Sequence, residues 1–184
     1  MLSVGRLPEL AADIDATFLE PAMGDGNFVA AILTRKLAAI REGGRSWNTS
    51  VLRAMCSVYG IELLRDNLAD AHRRVLALLI DAAKAQHGRR PRPDSAFLKS
   101  ADLIIKANLV QGNTLTRRDD RGGPIILSQW SRIAEHPSQV QRVLFDFAGS
   151  FAASDTPSLF SVVATPAIRY QPCPYVEVWK ETQE

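Results

Sequence analysis

The sequence predicts one α/β domain across residues 1–184, a central and largely parallel sheet flanked by helices, with an antiparallel hairpin at the carboxyl end. Three observations carry this reading. Short apolar runs at 16–19, 58–62 and 108–112 alternate with stretches of helical periodicity, the pattern of a parallel sheet with helical crossovers. A glycine-containing turn separates the first run from the first helix. Two late runs, 159–164 and 175–179, are rich in β-branched and aromatic residues, which suit a paired pleated surface.

Taken in order, residues 16–19 form a brief buried strand that leads into Glu20-Pro-Ala-Met-Gly-Asp-Gly-Asn-Phe28. Phe28, Ala31, Ile32, Leu33, Leu37 and Ile40 then recur at helical spacing, and Gly43-Gly44 should stop that helix. Residues 46–50 supply a capping segment for a second helix through Leu52, Met55 and Cys56, and residues 58–62 a second strand. Leu68, Ala71, Val75, Leu78 and Leu79 make one face of an amphipathic helix, with Asp66 and Asn67 as caps. Residues 84–94 mix positive charge with Gly and Pro and read as an exposed loop. A short helix at 101–106, a third strand at 108–112 and a fourth apolar run at 124–128 follow. Residues 140–147 fit either helix or strand, and 159–164 with 175–179 give the expected hairpin.

Composition narrows the function classes. A chain of 184 residues buries roughly 70% of the surface it exposes when unfolded, so neither disulfides nor a structural metal are required. Two cysteines fit a reduced interior, no apolar run approaches the ~20 residues of a membrane span, and residues 1–6 lack a signal-peptide core. The expectation is a cytoplasmic protein with no membrane partner. His72, His87 and His136 have no ligand spacing with Cys56 or Cys173, so no metal is expected. With a formal charge of +2, any polyanion would have to be recognised by local clusters. Two such clusters exist, Lys84 with Arg89, Arg90 and Arg92, and Arg117 with Arg118 and Arg121; each fits phosphate contact or solvated loop charge. Asp146, after Val143-Leu-Phe145, fits a catalytic carboxylate or, with no partner in the sequence, a turn or surface acid.

The glycine turn carries the clearest chemistry. Gly24 and Gly26 permit backbone angles closed to other residues and allow a ligand close to the main chain. Glu20, at the strand end, would repel a pyrophosphate but suits a ligand bearing an ammonium group. That combination favours an amino-acid-like ligand such as S-adenosylmethionine.

The segment Glu20-Pro-Ala-Met-Gly-Asp-Gly-Asn-Phe28 resembles motif I of the S-adenosylmethionine-dependent methyltransferases, in the form found in adenine-N6 DNA methyltransferases such as restriction-modification subunits. Tyr59-Gly-Ile-Glu-Leu63 is similar to motif II, and Val110-Gln-Gly-Asn-Thr-Leu115 to motif III, with Asn113 where an acid is usual. The resemblance spans about 17–115 and implies a Rossmann-like methyltransferase fold. It implies a cofactor site of Glu20, Pro21, Gly24, Gly26, Phe28, Glu62, Leu63 and Asn113. In it Glu62 accepts from the ribose hydroxyls, Leu63 packs on the adenine, and the Asn113 amide oxygen accepts from the adenine amino group.

The Asn-Pro-Pro-Tyr element of this family does not occur in the chain. Its positional equivalent is Ser128-Gln-Trp130, which makes Gln129 the expected acceptor for the target amino group and Trp130 the expected stacking platform, or else a half-buried strand-end residue. The resemblance therefore implies adenine-N6 methylation of DNA, with a partner subunit or self-association for target recognition. The alternative is a catalytically inactive methyltransferase-like subunit that binds cofactor or DNA in a restriction or phage defence assembly. A methyltransferase for a small molecule or protein is a third reading.

Overall fold

The computed structural model describes residues 7–40, 47–148 and 168–184. The elements are α1 (Leu7–Ala12), β1 (Phe18–Glu20), α2 (Asn27–Ala39), α3 (Trp47–Met55), β2 (Val58–Glu62), α4 (Arg65–His87), α5 (Ala96–Asn108), β3 (Leu109–Gln111), β4 (Ile126–Ile133), β5 (His136–Asp146), β6 (Cys173–Pro174) and a 3-10 helix (Tyr175–Lys180). No described helix is long and apolar enough to cross a membrane.

Two sheets share the work. β1, β2 and β3 are parallel in the order β1-β2-β3, with Phe18 opposite Val58 and Gly60 opposite Leu109. β4, β5 and β6 form a separate antiparallel sheet, Leu127 opposite Phe145 and Gln139 opposite Pro174. The expected single, largely parallel sheet is thus replaced by a mixed arrangement, because the chain after residue 124 turns back on itself instead of crossing over through a helix.

Alternation along β2 explains the layering. Every residue of this strand is buried, as expected for a sheet covered on both faces. Val58 packs with Val29, Leu33, Val75, Leu79 and Leu109 on the helical side. Tyr59 and Ile61 turn the other way, onto Ile125, Leu127, Phe145 and Phe147 of the antiparallel sheet. A buried hydrogen bond from the Tyr59 hydroxyl to the Ser128 carbonyl, 2.8 Å, pins the two sheets together.

Several elements differ from their sequence readings. α4 starts after Leu64, without a side-chain cap from Asp66 or Asn67, and continues through His87 to a left-handed Gly88, shortening the expected loop. α5 is longer than 101–106 because Ser95 caps it, accepting from the Leu98 N–H at 3.4 Å. Residues 140–147 resolve as strand β5 up to Asp146. The segment 175–179 is a 3-10 helix and not a hairpin strand: Tyr175 and Val178 are its buried residues, the i, i+3 spacing of three residues per turn. Its expected partner at 159–164 lies outside the described residues, as do Gly43-Gly44 and Ser46. Among the described residues, β4 and β5 form a hairpin.

Lys36 is fully buried in the last turn of α2. Its ammonium donates to the carbonyls of Asp13 and Ala16, at 2.6 and 2.7 Å, and lies 5.2 Å from the Phe18 ring centroid. It thereby fixes the chain between α1 and β1. Burial lowers its pKa from 10.5 to about 8, partly offset by the nearby Asp13 and Asp15 carboxylates.

Candidate functional site

The carboxyl ends of β1 and β2 and the loop after β3 meet around the glycine turn. Gly24 and Gly26 both have positive φ, +56° and +82°, so the turn needs glycine at both positions. Their surroundings differ. A Cβ at Gly24 would meet nothing within 4 Å, whereas one at Gly26 would lie 2.8 Å from the Ala71 Cβ of α4. Close packing of helices explains Gly26, and open space for a ligand belongs to Gly24.

Met23 anchors the turn: it is buried, its N–H donates to the Ile61 carbonyl at 3.1 Å, and its sulfur fills the space a side chain at Gly60 would occupy. Glu62 holds the turn from the other side. Only 7% exposed, its carboxylate accepts from the Gly24 N–H at 2.8 Å on one oxygen, and on the other from the Leu64 N–H at 3.0 Å and the Asn67 amide at 3.3 Å. The oxygen facing Gly24 retains one lone pair, so a single further donor, such as a ribose hydroxyl, can be accommodated. Glu20 accepts from the Ala22 N–H at 3.2 Å and keeps the rest of its acceptor capacity.

The loop after β3 is tied in by two hydrogen bonds. The Thr114 hydroxyl donates to the Pro21 carbonyl at 2.5 Å, and the Gly112 N–H donates to the Glu62 carbonyl at 2.9 Å. Asn113 does not present its amide oxygen to the crevice as expected: it accepts from the N–H groups of Leu115 and Thr116, at 3.0 and 3.2 Å, and closes a local turn. Around these polar groups stand apolar side chains in water, Leu63 at 56% and Leu115 at 94% exposure, with Leu64 beside them. Phe28, by contrast, is half-buried against the core under α2. Asp25 is engaged by Arg74, whose Nη2 donates to its carboxylate at 2.6 Å. The turn therefore presents the carboxylates of Glu20 and Glu62 beside exposed apolar surface at Leu63 and Leu115.

Gln129 and Trp130 are not part of it. Both lie within β4. Trp130 Nε1 donates to Asn108 Oδ1 at 2.8 Å, and Asn108 in turn donates to the carbonyls of Met55 and Val58, at the amino-terminal ends of the parallel strands. Arg142 lies 5.4 Å from the Trp130 ring centroid while its Nε donates to Ser128 and its guanidinium pairs with Glu181. The two residues border a cavity of about 350 Å³ shared with Asp15, Arg53, Ser57 and Tyr175. The expectation failed because the fourth apolar run enters an antiparallel strand, which carries residues 129 and 130 away from the glycine turn.

Sequence reasoning also missed Thr114, Leu64 and Asn67. Leu115 had a signal, an apolar residue in an otherwise polar turn. Comparison of the chain with protein-family models, with curated proteins and with solved structures finds no match.

Proposed function

We infer that the crevice at Gly24 and Glu62 binds S-adenosylmethionine, and that the chain is a methyltransferase-like protein of the adenine-N6 DNA type. The observation that carries this reading is the pairing of an open left-handed Gly24 with a buried Glu62 that holds it and an exposed Leu63 one residue on. On this reading β3-β2-β1 is the first half of a Rossmann-like sheet, with the ligand at the carboxyl ends of its strands.

The residues would share the task as follows. Glu62 accepts from a ribose hydroxyl, Leu63 and Leu115 cover the two faces of the base, and Glu20 faces the amino group. When bound, S-adenosylmethionine supplies an electrophilic methyl group. The chain's own contribution is orientation, by a turn already held in place through Met23, Glu62 and Thr114.

A second reading is favoured by the position of Gln129 and Trp130 at the far end of the strands. In it the chain is a methyltransferase-like subunit that binds cofactor, while another chain supplies the groups that hold the target base. Calorimetry with S-adenosylmethionine tests the shared part of both readings, and absence of binding at millimolar cofactor removes both. Transfer of a tritiated methyl group to duplex or single-stranded DNA, with the modified base identified by mass spectrometry, separates them.

A further inference from the structure

At the opposite end of α4, about 33 Å from the crevice along a 23-residue helix, the chain builds a second polar surface. The segment from Lys84 to Asp94 holds four basic side chains and a single acid, in a protein whose whole formal charge is +2. α4 ends at Gly88, whose left-handed backbone (φ +70°) turns the chain out of the helix. In the continuation Arg89-Arg-Pro-Arg-Pro93, Arg90 and Arg92 each precede a proline, which excludes the helical region for them, and a turn from Arg92 to Ser95, closed by the Ser95 N–H on the Arg92 carbonyl at 3.0 Å, then leads into α5.

Arg89, Arg90 and Arg92 line a groove of about 500 Å³, together with His87, Asn48 and Ser95. All three arginines are exposed. Arg92 is held by Asp94 through two parallel hydrogen bonds, Nε to one carboxylate oxygen at 3.1 Å and Nη2 to the other at 3.0 Å. Arg90 reaches Asp81 only at 3.9 Å between two largely exposed side chains, and Arg89 has no acidic partner among the described residues. An exposed pair as distant as Arg90 and Asp81 contributes little, so Arg89 and Arg90 are available to an anion, and Arg92 joins them by exchanging Asp94 for it. Of the apolar residues at the groove, Ala83 and Phe97 are buried and Pro91, between the arginines, is half-buried. Guanidiniums match phosphate oxygens through paired N–H donors, and two residues of extended chain span about 6.6 Å, comparable to the step between successive phosphates along a strand.

We propose that the groove formed by Arg89, Arg90 and Arg92 binds the phosphodiester backbone of a nucleic acid, without reading its sequence. This surface and the cofactor crevice stand on different residues at opposite ends of α4, so each is tested without the other.

The test is fluorescence anisotropy of a labelled DNA duplex of about 20 base pairs, and of one of its strands, titrated with the full chain across a salt series starting near ~50 mM. The variant carries Arg89→Gln, Arg90→Gln and Arg92→Gln together, with Arg89→Gln alone as a milder second variant; circular dichroism establishes that both fold. The parent should bind with affinity that falls steeply as salt rises. The triple variant should lose about tenfold or more at the lowest salt and flatten the slope of log K against log salt by about 2 to 3, the single variant by about 1. An unchanged slope in the folded triple variant, or a parent that binds neither probe, would overturn the proposal. So would equal or tighter binding of poly-glutamate or of vesicles rich in phosphatidylserine, which would assign the groove to an acidic peptide or a membrane instead.

Discussion

Replacing Gly26 by Ala should destabilise the fold by about 2 to 5 kcal/mol, and the loss should be relieved by a second change at Ala71. The new methyl would sit 2.8 Å from the Ala71 Cβ and 3.0 Å from its Cα, with backbone behind both, so no side-chain rotation removes the overlap. Forcing an extra methyl into a packed contact costs about 1 to 3 kcal/mol, and placing an L-residue at φ +82° adds about 1 to 2 kcal/mol. Ala71→Gly alone should cost about 1 kcal/mol, from helix propensity. In the double variant the overlap with the Ala71 Cβ is gone while the 3.0 Å approach to its Cα and the backbone parts remain, so the two changes should couple by part of the steric cost, about 1 kcal/mol. Urea denaturation of the four proteins measures this directly. Strict additivity would refute the packing argument and return Gly26 to a role set by its backbone angle alone.

At Gly24, Ala should cost only the backbone strain, about 1 to 2 kcal/mol, while filling the open side of the crevice; calorimetry should show cofactor affinity falling far more than stability. Glu62→Ala removes the acceptor for the Gly24 N–H and should weaken S-adenosylmethionine binding by more than about tenfold, the equivalent of about 1.5 to 3 kcal/mol for a charged acceptor; unchanged affinity would exclude the carboxylate from the site. Lys36 has a folded pKa of about 8 against 10.5, so the unfolded chain binds more protons between these values. The Lys36 contribution to stability should therefore grow as pH rises across that window, against burial of the Cys56 and Cys173 thiols and the Tyr59 and Tyr175 hydroxyls, which raises their pKa values and acts the other way. Denaturation curves at pH values spanning the window should show Lys36→Met losing more stability with rising pH than the parent does, on top of a cost of about 1 to 3 kcal/mol through the carbonyls it leaves unpaired. Trp130→Phe strands the buried Asn108 oxygen and should lower stability by about 1 to 3 kcal/mol without changing cofactor affinity; a parallel loss of affinity would place Trp130 near the ligand after all.

What could be read from the sequence follows a physical divide. The glycine turn, β2, α4 and β3 declare themselves by local means: conformational need at Gly24, Val58, Tyr59 and Ile61 within a five-residue run, and 3.6-residue periodicity through Leu79. The second sheet does not. In β4, Ser128 is buried because it meets the Tyr59 hydroxyl and Arg142, and Arg142 is tolerated in β5 only because Glu181, Trp130 and Tyr170 surround it. Such polar burial is settled by distant partners and leaves no period in the chain. The same holds for the site. Gly24 and Glu62 were visible as residue types at strand ends, but the engagement of Asn113 by its own turn and the tie from Thr114 to Pro21 are tertiary facts. Tyr175 and Val178 show a further limit, since a strand-like composition was folded as a 3-10 turn by burial at every third residue.

The pairing of a local hairpin with a non-local parallel sheet sets an order of assembly. β4 and β5 are joined directly after Ile133 and can zip in microseconds, whereas β1 must find β2 across two helices and β2 must find β3 across two more. Each parallel contact requires closing a long loop before any pairing is gained. An early hairpin would present Leu127 and Phe145 as an apolar platform on which Tyr59 and Ile61 settle, so that β2 acquires its register from the layer beneath it before its neighbours arrive. Until then the three parallel strands are unpaired apolar segments. Association between chains during refolding should for that reason begin at 58–62, the longest of the three and the central strand, which both others must reach.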